Sequence, residues 1–160
     1  MCGFFCVVSN NLKNFNKQKF INSSKLLAHR GPDDKQFLYS RHYALSFYRL
    51  SLRDLSINGR QPMESSCGRY IICFNGEIYN TEYLKKKYLP NFNFKSTSDT
   101  EVLLELYKIK KEKILKELEG MFAIFIYDNL ENKTFLARDR IGIKPLYFKK
   151  TSNYFIISSE

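Results

Sequence analysis

Apolar runs of strand length lie towards both ends of this 160-residue chain, and helical spacing is confined to its middle. Residues 4–9, 36–39, 43–48 and 69–74 read as strands before the midpoint, and residues 121–127, 133–137, 146–149 and 154–158 read as strands after it. Between them, residues 78–88 and 100–110 carry helical spacing. Strands gathered on either side of two central helices do not make regularly alternating βαβ units. They point to an α+β protein built of stacked layers.

The punctuation supports that reading. Asn80 or Thr81 stands ready near the start of the first central helix, and Ser98 or Asp99 can cap the second. Val102, Leu103, Leu106 and Ile109 are predicted to share the buried face of the second helix. Shorter helices are expected at residues 19–28 and 114–118, with a polar flexible stretch over residues 10–15 and a short strand holding Phe92 and Phe94. Residues 49–62 read as a loop, either a surface connection or a substrate-binding segment. The Asn75-Gly76 pair can stop the preceding strand in a hairpin turn. It can also set an amide side chain and a backbone N–H around a developing oxyanion.

Composition narrows the function classes. A 44% hydrophobic content suits one domain with a sizeable core, and no repeat or interdomain linker interrupts the chain. No long apolar run reads as a membrane helix, and the start lacks the form of a signal peptide, so cytoplasm is the expected compartment. Cys2, Cys6, Cys67 and Cys73 lack metal-ligand spacing, and His29 and His42 do not complete a site with them. Cys6 and Cys73 read as buried thiols in strands. The net charge of +10 could attract nucleic acid, but the lysines cluster at residues 85–87 and 108–116 with no nucleic-acid motif beside them. Solvated helix faces account for them better.

The chain opens Met1-Cys2-Gly3, directly before the first apolar strand. A small second residue normally permits removal of the initiator methionine. Cys2 would then hold a thiol and a free α-amine, whose pKa of roughly 8 leaves much of it neutral near pH 7. Such an amine can serve as the base for its own thiol, directly or through one water, with no histidine required. A chance Met-Cys start is the ordinary alternative. Gly3 gives the nucleophile backbone clearance or simply fills a small core position.

Five more stretches follow in order: residues 29–33 (His-Arg-Gly-Pro-Asp), 49–51 (Arg-Leu-Ser), 74–80 (Phe-Asn-Gly-Glu-Ile-Tyr-Asn), 98–101 (Ser-Asp-Thr-Glu) and 120–123 (Gly-Met-Phe-Ala). Residues 138–147, Arg-Asp-Arg-Ile-Gly-Ile-Lys-Pro-Leu-Tyr, complete the set. Together with the Cys-Gly start, they resemble the glutaminase domain of glutamine-hydrolysing asparagine synthetases, which are class II glutamine amidotransferases. The resemblance covers residues 2–160, nearly the whole chain. It implies a four-layer α/β/β/α N-terminal-nucleophile hydrolase fold with two antiparallel sheets. It implies glutamine as substrate, Cys2 as nucleophile through a glutamyl thioester, and Asn75 with Gly76 as the oxyanion hole. Arg49 matches the family's carboxylate binder; Asp99 and Glu77 match its acidic residues. Arg30 is expected to support the pocket wall, and His29 to pack or hydrogen-bond.

The resemblance further implies that hydrolysis needs no cofactor, and that ATP and Mg²⁺ belong to a synthetase domain downstream or on a separate chain. No pyrophosphate-binding loop of that domain is present, so residue 160 is expected to lie close to the boundary with it. Neither nucleic acid nor membrane is an expected partner, and a homodimer is possible. Residues 138–144 lack the form of a P-loop, and a structural role or a domain contact suits them better. Phe47-Tyr48 before Arg49 departs from the family's more polar lead-in. Alternatives are a non-catalytic glutamine-binding or regulatory module, and an amidotransferase serving a different acceptor.

Overall fold

A computed structural model describes residues 1–13 and 15–160. The expected flexible stretch over residues 10–15 includes Asn14, which lies outside the described residues. In chain order the regular elements are β1 (Gly3–Val8), α1 (Lys17–Ser24), β2 (Asp34–Tyr39), β3 (Tyr43–Arg49), β4 (Met63–Glu64) and β5 (Tyr70–Ile78). They continue with α2 (Thr81–Tyr88), α3 (Asp99–Lys110), β6 (Gly120–Asp128), β7 (Lys133–Arg138), β8 (Tyr147–Lys150) and β9 (Phe155–Ser158). Short 3₁₀ turns at Lys25–Arg30, Ile57–Gly59 and Lys111–Lys116 link them.

Two antiparallel sheets form. One runs β2-β3-β1-β9-β8 and the other β4-β5-β6-β7. Period-two alternation then sorts the side chains into layers. On β1, Phe4 and Cys6 face the gap between the sheets, where they meet Ile71 and Cys73 of β5 and Ala123, Phe125 and Tyr127 of β6. The opposite faces carry the helices. Ile72, Phe74, Ile124 and Ile126 pack against Leu84 of α2 and Leu103 and Leu106 of α3. Val7 and Ala44 pack against Phe20 of α1. The result is the expected α/β/β/α stack, with Cys6 and Cys73 buried in its central layer.

Topology carries the chain's first residues to the middle of a sheet. β1 pairs with β3 from Gly3 opposite Tyr48, and with β9 from Phe5 opposite Ser158. Cys2 therefore sits at the open end of the gap between the sheets, on the same parity as Phe4 and Cys6. Residues 71, 73, 75 and 77 of β5 share one face by the same rule. Asn75 and Glu77 continue the row begun by Ile71 and Cys73 towards that open end.

The structure corrects three expectations. Asn75-Gly76 neither stops the strand nor makes a hairpin. β5 runs through both residues, which pair with Ala123 and Phe122 of β6. The lack of a side chain at Gly76 permits this close pairing, since a Cβ there would collide with Met121 O and the Phe122 backbone. Phe92 and Phe94 form no strand. They lie in irregular chain with ring centroids 4.8 Å apart, against the core under α3. Ile109, expected on the buried face of α3, is 59% exposed, because the helix turns its apolar stripe through Leu103, Leu104 and Leu106 instead.

Local chemistry explains the helix starts. Ser98 caps α3 by accepting from Glu101 N at 3.3 Å. Asn80 precedes α2 but does not cap it. Its amide donates to Glu117 O at 2.8 Å and accepts from Glu119 N at 3.2 Å, joining α2 to the approach to β6. The lysine runs sit on helix surfaces beside glutamates: Lys85 with Glu82, Lys87 and Lys110 with Glu117, and Lys108 with Glu105. No helix among the described residues is long and apolar enough to cross a membrane.

The segment after β7 is structural. Arg138 donates to Lys144 O and Gly142 O, both at 2.6 Å. The buried Asp139 carboxylate accepts from Phe122 N (3.2 Å), Ile143 N (2.8 Å) and Lys144 N (3.0 Å). Burial alone would raise its pKa, but these backbone donors outweigh burial and hold it below the ordinary aspartate value. Asp139→Asn is therefore expected to cost about 1–3 kcal/mol of stability in urea unfolding at neutral pH. A depressed folded pKa contributes stability above the unfolded value and loses it as pH falls through the folded one. The gap between wild type and variant should accordingly narrow in acid. A gap that widens on acidification would contradict this account.

Candidate active site

Between the ends of β1, β3, β5 and α3 lies a cleft of about 310 Å³. Its walls include Cys2, Arg49, Asn75, Gly76, Glu77 and Asp99, the six residues singled out in the sequence. A larger hollow of about 640 Å³, lined by residues such as Leu12, Lys17, Tyr39 and Arg41, holds none of them. Among the described residues, its lining has no thiol and no carboxylate, whereas the smaller cleft has both.

Cys2 is half-buried at the foot of β1. Its Sγ lies 3.4 Å from the donating Leu50 N and 3.5 Å from Leu50 O. Burial pushes the thiol pKa up, partly offset by the Leu50 N–H and by the positive charges of the N-terminus, Arg49 and Arg30. The thiol is thus protonated at rest and needs a base before it can attack a carbonyl. The backbone around it is held firmly. Arg30, 7% exposed, donates Nε–H to Cys2 O at 2.9 Å and Nη1–H to Glu160 at 2.7 Å. The stem of Arg30 lies over Gly3, where even a methyl group would press on it. His29 is exposed and bonds to Leu26 O and Glu160, away from the thiol, so of its two expected roles it takes the hydrogen-bonding one.

Asn75 reaches the same point from the other sheet. With its amide oriented so that both ends are satisfied, Nδ2 donates to Cys2 O at 3.1 Å and Oδ1 accepts from Arg30 Nη2 at 3.3 Å. Asn75 is 2% exposed, so its donor is held in a largely dry place. Gln61 fixes the strand just ahead of it, accepting from Phe74 N at 2.6 Å and donating to Phe74 O at 3.1 Å and Thr100 Oγ1 at 3.2 Å. This clamp ties the Asn75-Gly76 stretch to the start of α3.

Arg49 ends β3 and is buried at the loop side of the cleft. Its Nη1 donates to Ser56 O at 2.9 Å, and its Nη2 donates to Asp54 O. Gly59 lies so close that a Cβ would strike Nη2 and the Asp54 side chain. Two of the guanidinium's five N–H groups are thereby committed to the loop. The Asp54 carboxylate orders the same loop by accepting from Ser56 N and Thr97 N.

Asp99, at the first turn of α3, accepts from Ile78 N at 2.9 Å. Burial raises its pKa, with the Ile78 N–H and Arg53 pulling the other way. Glu77 stands near it with its side chain 45% exposed. The guanidinium of Arg53 lies between them, 3.6 Å from Asp99 Oδ2 and 4.0 Å from Glu77 Oε1. Lys144, 6% exposed, places Nζ 3.1 Å from Met1 Sδ at the edge of the cleft.

All six predicted residues are brought together. Sequence reasoning missed Arg53, Gln61 and Lys144. Lys144 falls inside a quoted motif, so a signal existed, whereas nothing in the pattern of the 49–62 loop separates Arg53 or Gln61 from its other polar residues. Among the described residues, no group of three or more His, Cys, Asp or Glu is arranged to hold a metal ion.

The family model for the glutamine amidotransferase domain matches residues 1–160. Asparagine synthetase [glutamine-hydrolyzing] 2 of Bacillus subtilis is 43% identical over 134 residues, covering 84% of this chain and 18% of that protein. Asparagine synthetase B [glutamine-hydrolyzing] of Escherichia coli is 37% identical over 131 residues, covering 82% of this chain and 24% of that protein. Amidase chry2 of Gibberella zeae is 36% identical, covering 86% of this chain and 21% of that protein. The chain thus spans about a quarter or less of the length of these curated relatives. Among solved structures, the glutamine phosphoribosylpyrophosphate amidotransferase of B. subtilis superposes with a TM-score of 0.75 over 99% of this chain and 42% of its own, at 20% identity. At that identity the likeness establishes the fold.

Proposed function

The chain belongs to the glutamine amidotransferase domain family, and on that premise we propose that it hydrolyses glutamine to glutamate and ammonia, with Cys2 as nucleophile. The observation that carries this reading is the convergence of Cys2, Asn75, Gly76, Arg49, Glu77 and Asp99 on one cleft.

The chemistry requires loss of Met1. The freed α-amine of Cys2 takes the thiol proton, and the thiolate attacks the side-chain amide carbon. The carbonyl oxygen becomes an oxyanion, for which the Asn75 amide and the Gly76 N–H are the proposed donors. Collapse breaks the C–N bond. The protonated α-amine returns its proton to the departing nitrogen, and ammonia leaves a glutamyl thioester on Cys2. The amine then deprotonates a water that attacks the thioester. Glutamate forms and the thiol is restored. Arg49 is the proposed partner of the substrate α-carboxylate, and Asp99 with Glu77 the partners of its α-ammonium. No metal or cofactor takes part in these steps.

Ammonia made in this way calls for an acceptor. The names of the B. subtilis and E. coli relatives support asparagine synthesis as the use of that ammonia. The reading adds an ATP- and Mg²⁺-dependent region, downstream or on another chain, and cytoplasm as the setting. The test supplies the complete natural system with amide-¹⁵N-glutamine, aspartate, ATP and Mg²⁺. Labelled asparagine with AMP and pyrophosphate is the expected result. Glutamine consumption with no label on aspartate would overturn the asparagine assignment and leave the glutaminase standing. No glutamine consumption at all would overturn both.

A further inference from the structure

Two carboxylates and one guanidinium meet in the cleft. Arg53 Nη1 is held by Ile78 O at 3.1 Å, and from there it faces Asp99 Oδ2 at 3.6 Å and Glu77 Oε1 at 4.0 Å. Asp99 is deeply buried, while Arg53 and Glu77 are about two-fifths exposed. Neither ion-pair distance is that of a committed hydrogen bond. The guanidinium is attracted to the acidic pair, but its firm tether is a backbone carbonyl. The three groups sum to one negative charge, so one further cation balances them.

This acidic pair is the one assigned above to the substrate's α-ammonium, and the inference rests on that assignment. We propose that Arg53 is a specificity-determining residue that competes with the substrate α-ammonium for Asp99 and Glu77, widening the cleft's range to five-carbon carboxamides that lack this ammonium. Glutamine binds by sharing or displacing the guanidinium, and part of its ammonium's attraction is spent in doing so. A substrate such as 4-carbamoylbutanoate has no ammonium. It leaves Arg53 in place, and the carboxylates keep that partial neutralisation rather than standing unpaired beside an apolar carbon. The ammonium therefore discriminates less between the two amides than a bare acidic pair would allow.

The test compares wild type, Arg53→Leu and Arg53→Lys on both amides. Kinetics are measured on the intact chain, and dissociation constants by calorimetry in a Cys2→Ala background. With Arg53→Leu, the preference for glutamine over 4-carbamoylbutanoate should rise about fivefold, the worth of one partly exposed ion pair. The gain should appear in KM and in the dissociation constant, and added salt should shrink it. Arg53→Lys should keep a preference near that of wild type. A merely structural role would shift both amides alike. An unchanged or falling preference in Arg53→Leu overturns the proposal whether or not turnover is seen. A shifted binding preference without turnover in the intact chain keeps it and rejects the glutaminase reading. Failure of both amides to bind rejects both.

Discussion

Cys2→Ala is expected to lower kcat for glutamine hydrolysis by about 10⁴-fold or more while leaving the fold intact. The two halves of this expectation have separate causes. Chemistry loses the only thiol among the described residues of the cleft, since Cys6 and Cys73 are sealed in the layer between the sheets and Cys67 is outside the cleft. Water cannot replace the thiolate at neutral pH without an acyl intermediate to divide the barrier. Structure loses little. The thiol's polar contacts are weak sulfur hydrogen bonds, 3.4 and 3.5 Å, with the Leu50 backbone, its packing is against the edge of the core, and the Arg30 bond to Cys2 O does not involve the side chain. Unfolding in urea should shift by less than about 1 kcal/mol. Equal turnover by a homogeneous Cys2→Ala preparation would reject the assigned nucleophile. A variant that fails to fold would show instead that Cys2 has a structural part that its contacts do not reveal.

Asn75→Ala should cost about 10²–10³-fold in kcat with a much smaller change in KM. A donor that meets the oxyanion contributes more to the tetrahedral intermediate than to the planar amide, so its loss falls on the chemical step. Some stability is lost as well. Asn75 is the bridge between Cys2 O and Arg30 Nη2, and truncation leaves both without that partner in a buried place, at about 1–3 kcal/mol. A thermal melt separates the two effects, because activity measured well below the transition reports chemistry alone. A fall in kcat of less than tenfold in a folded variant would remove Asn75 from the oxyanion role.

Much of this architecture was legible before any coordinates, for identifiable reasons. Long apolar strands such as Gly120–Asp128 announce themselves through period and length together, and so does the hairpin to Lys133–Arg138. The α+β layering followed from their order. Asn75-Gly76 misled because local turn propensity is real, yet pairing with Ala123 and Phe122 across nine residues of β5 and β6 outweighs it. Phe92 and Phe94 carry strand-like composition but have no partner strand, and packing under α3 decides their conformation. Ile109 shows the limit of helical periodicity near a helix end, where one residue's rotation moves a side chain from core to solvent.

The site divides in the same way. Cys2 and Asn75 could be placed together by parity once their strands were known, since each extends an inward-facing row. Their meeting across two sheets is a tertiary fact. Motif order could imply it, but no local pattern contains it. Arg53 and Gln61 lie in a loop without period, and their roles come from what that loop lies against: the acidic pair for one, the Phe74 backbone for the other.

The central claim is that a processed Cys2 is the attacking group, and mass spectrometry of the acid-quenched enzyme tests it most directly. The intact chain would be mixed with excess glutamine, quenched during turnover, and its N-terminal peptide sequenced by fragmentation. The account predicts that this peptide begins at Cys2, and that a hydroxylamine-sensitive glutamyl group is carried on its sulfur. An enzyme that turns over glutamine while keeping Met1, or that carries the acyl group on another residue, would contradict it.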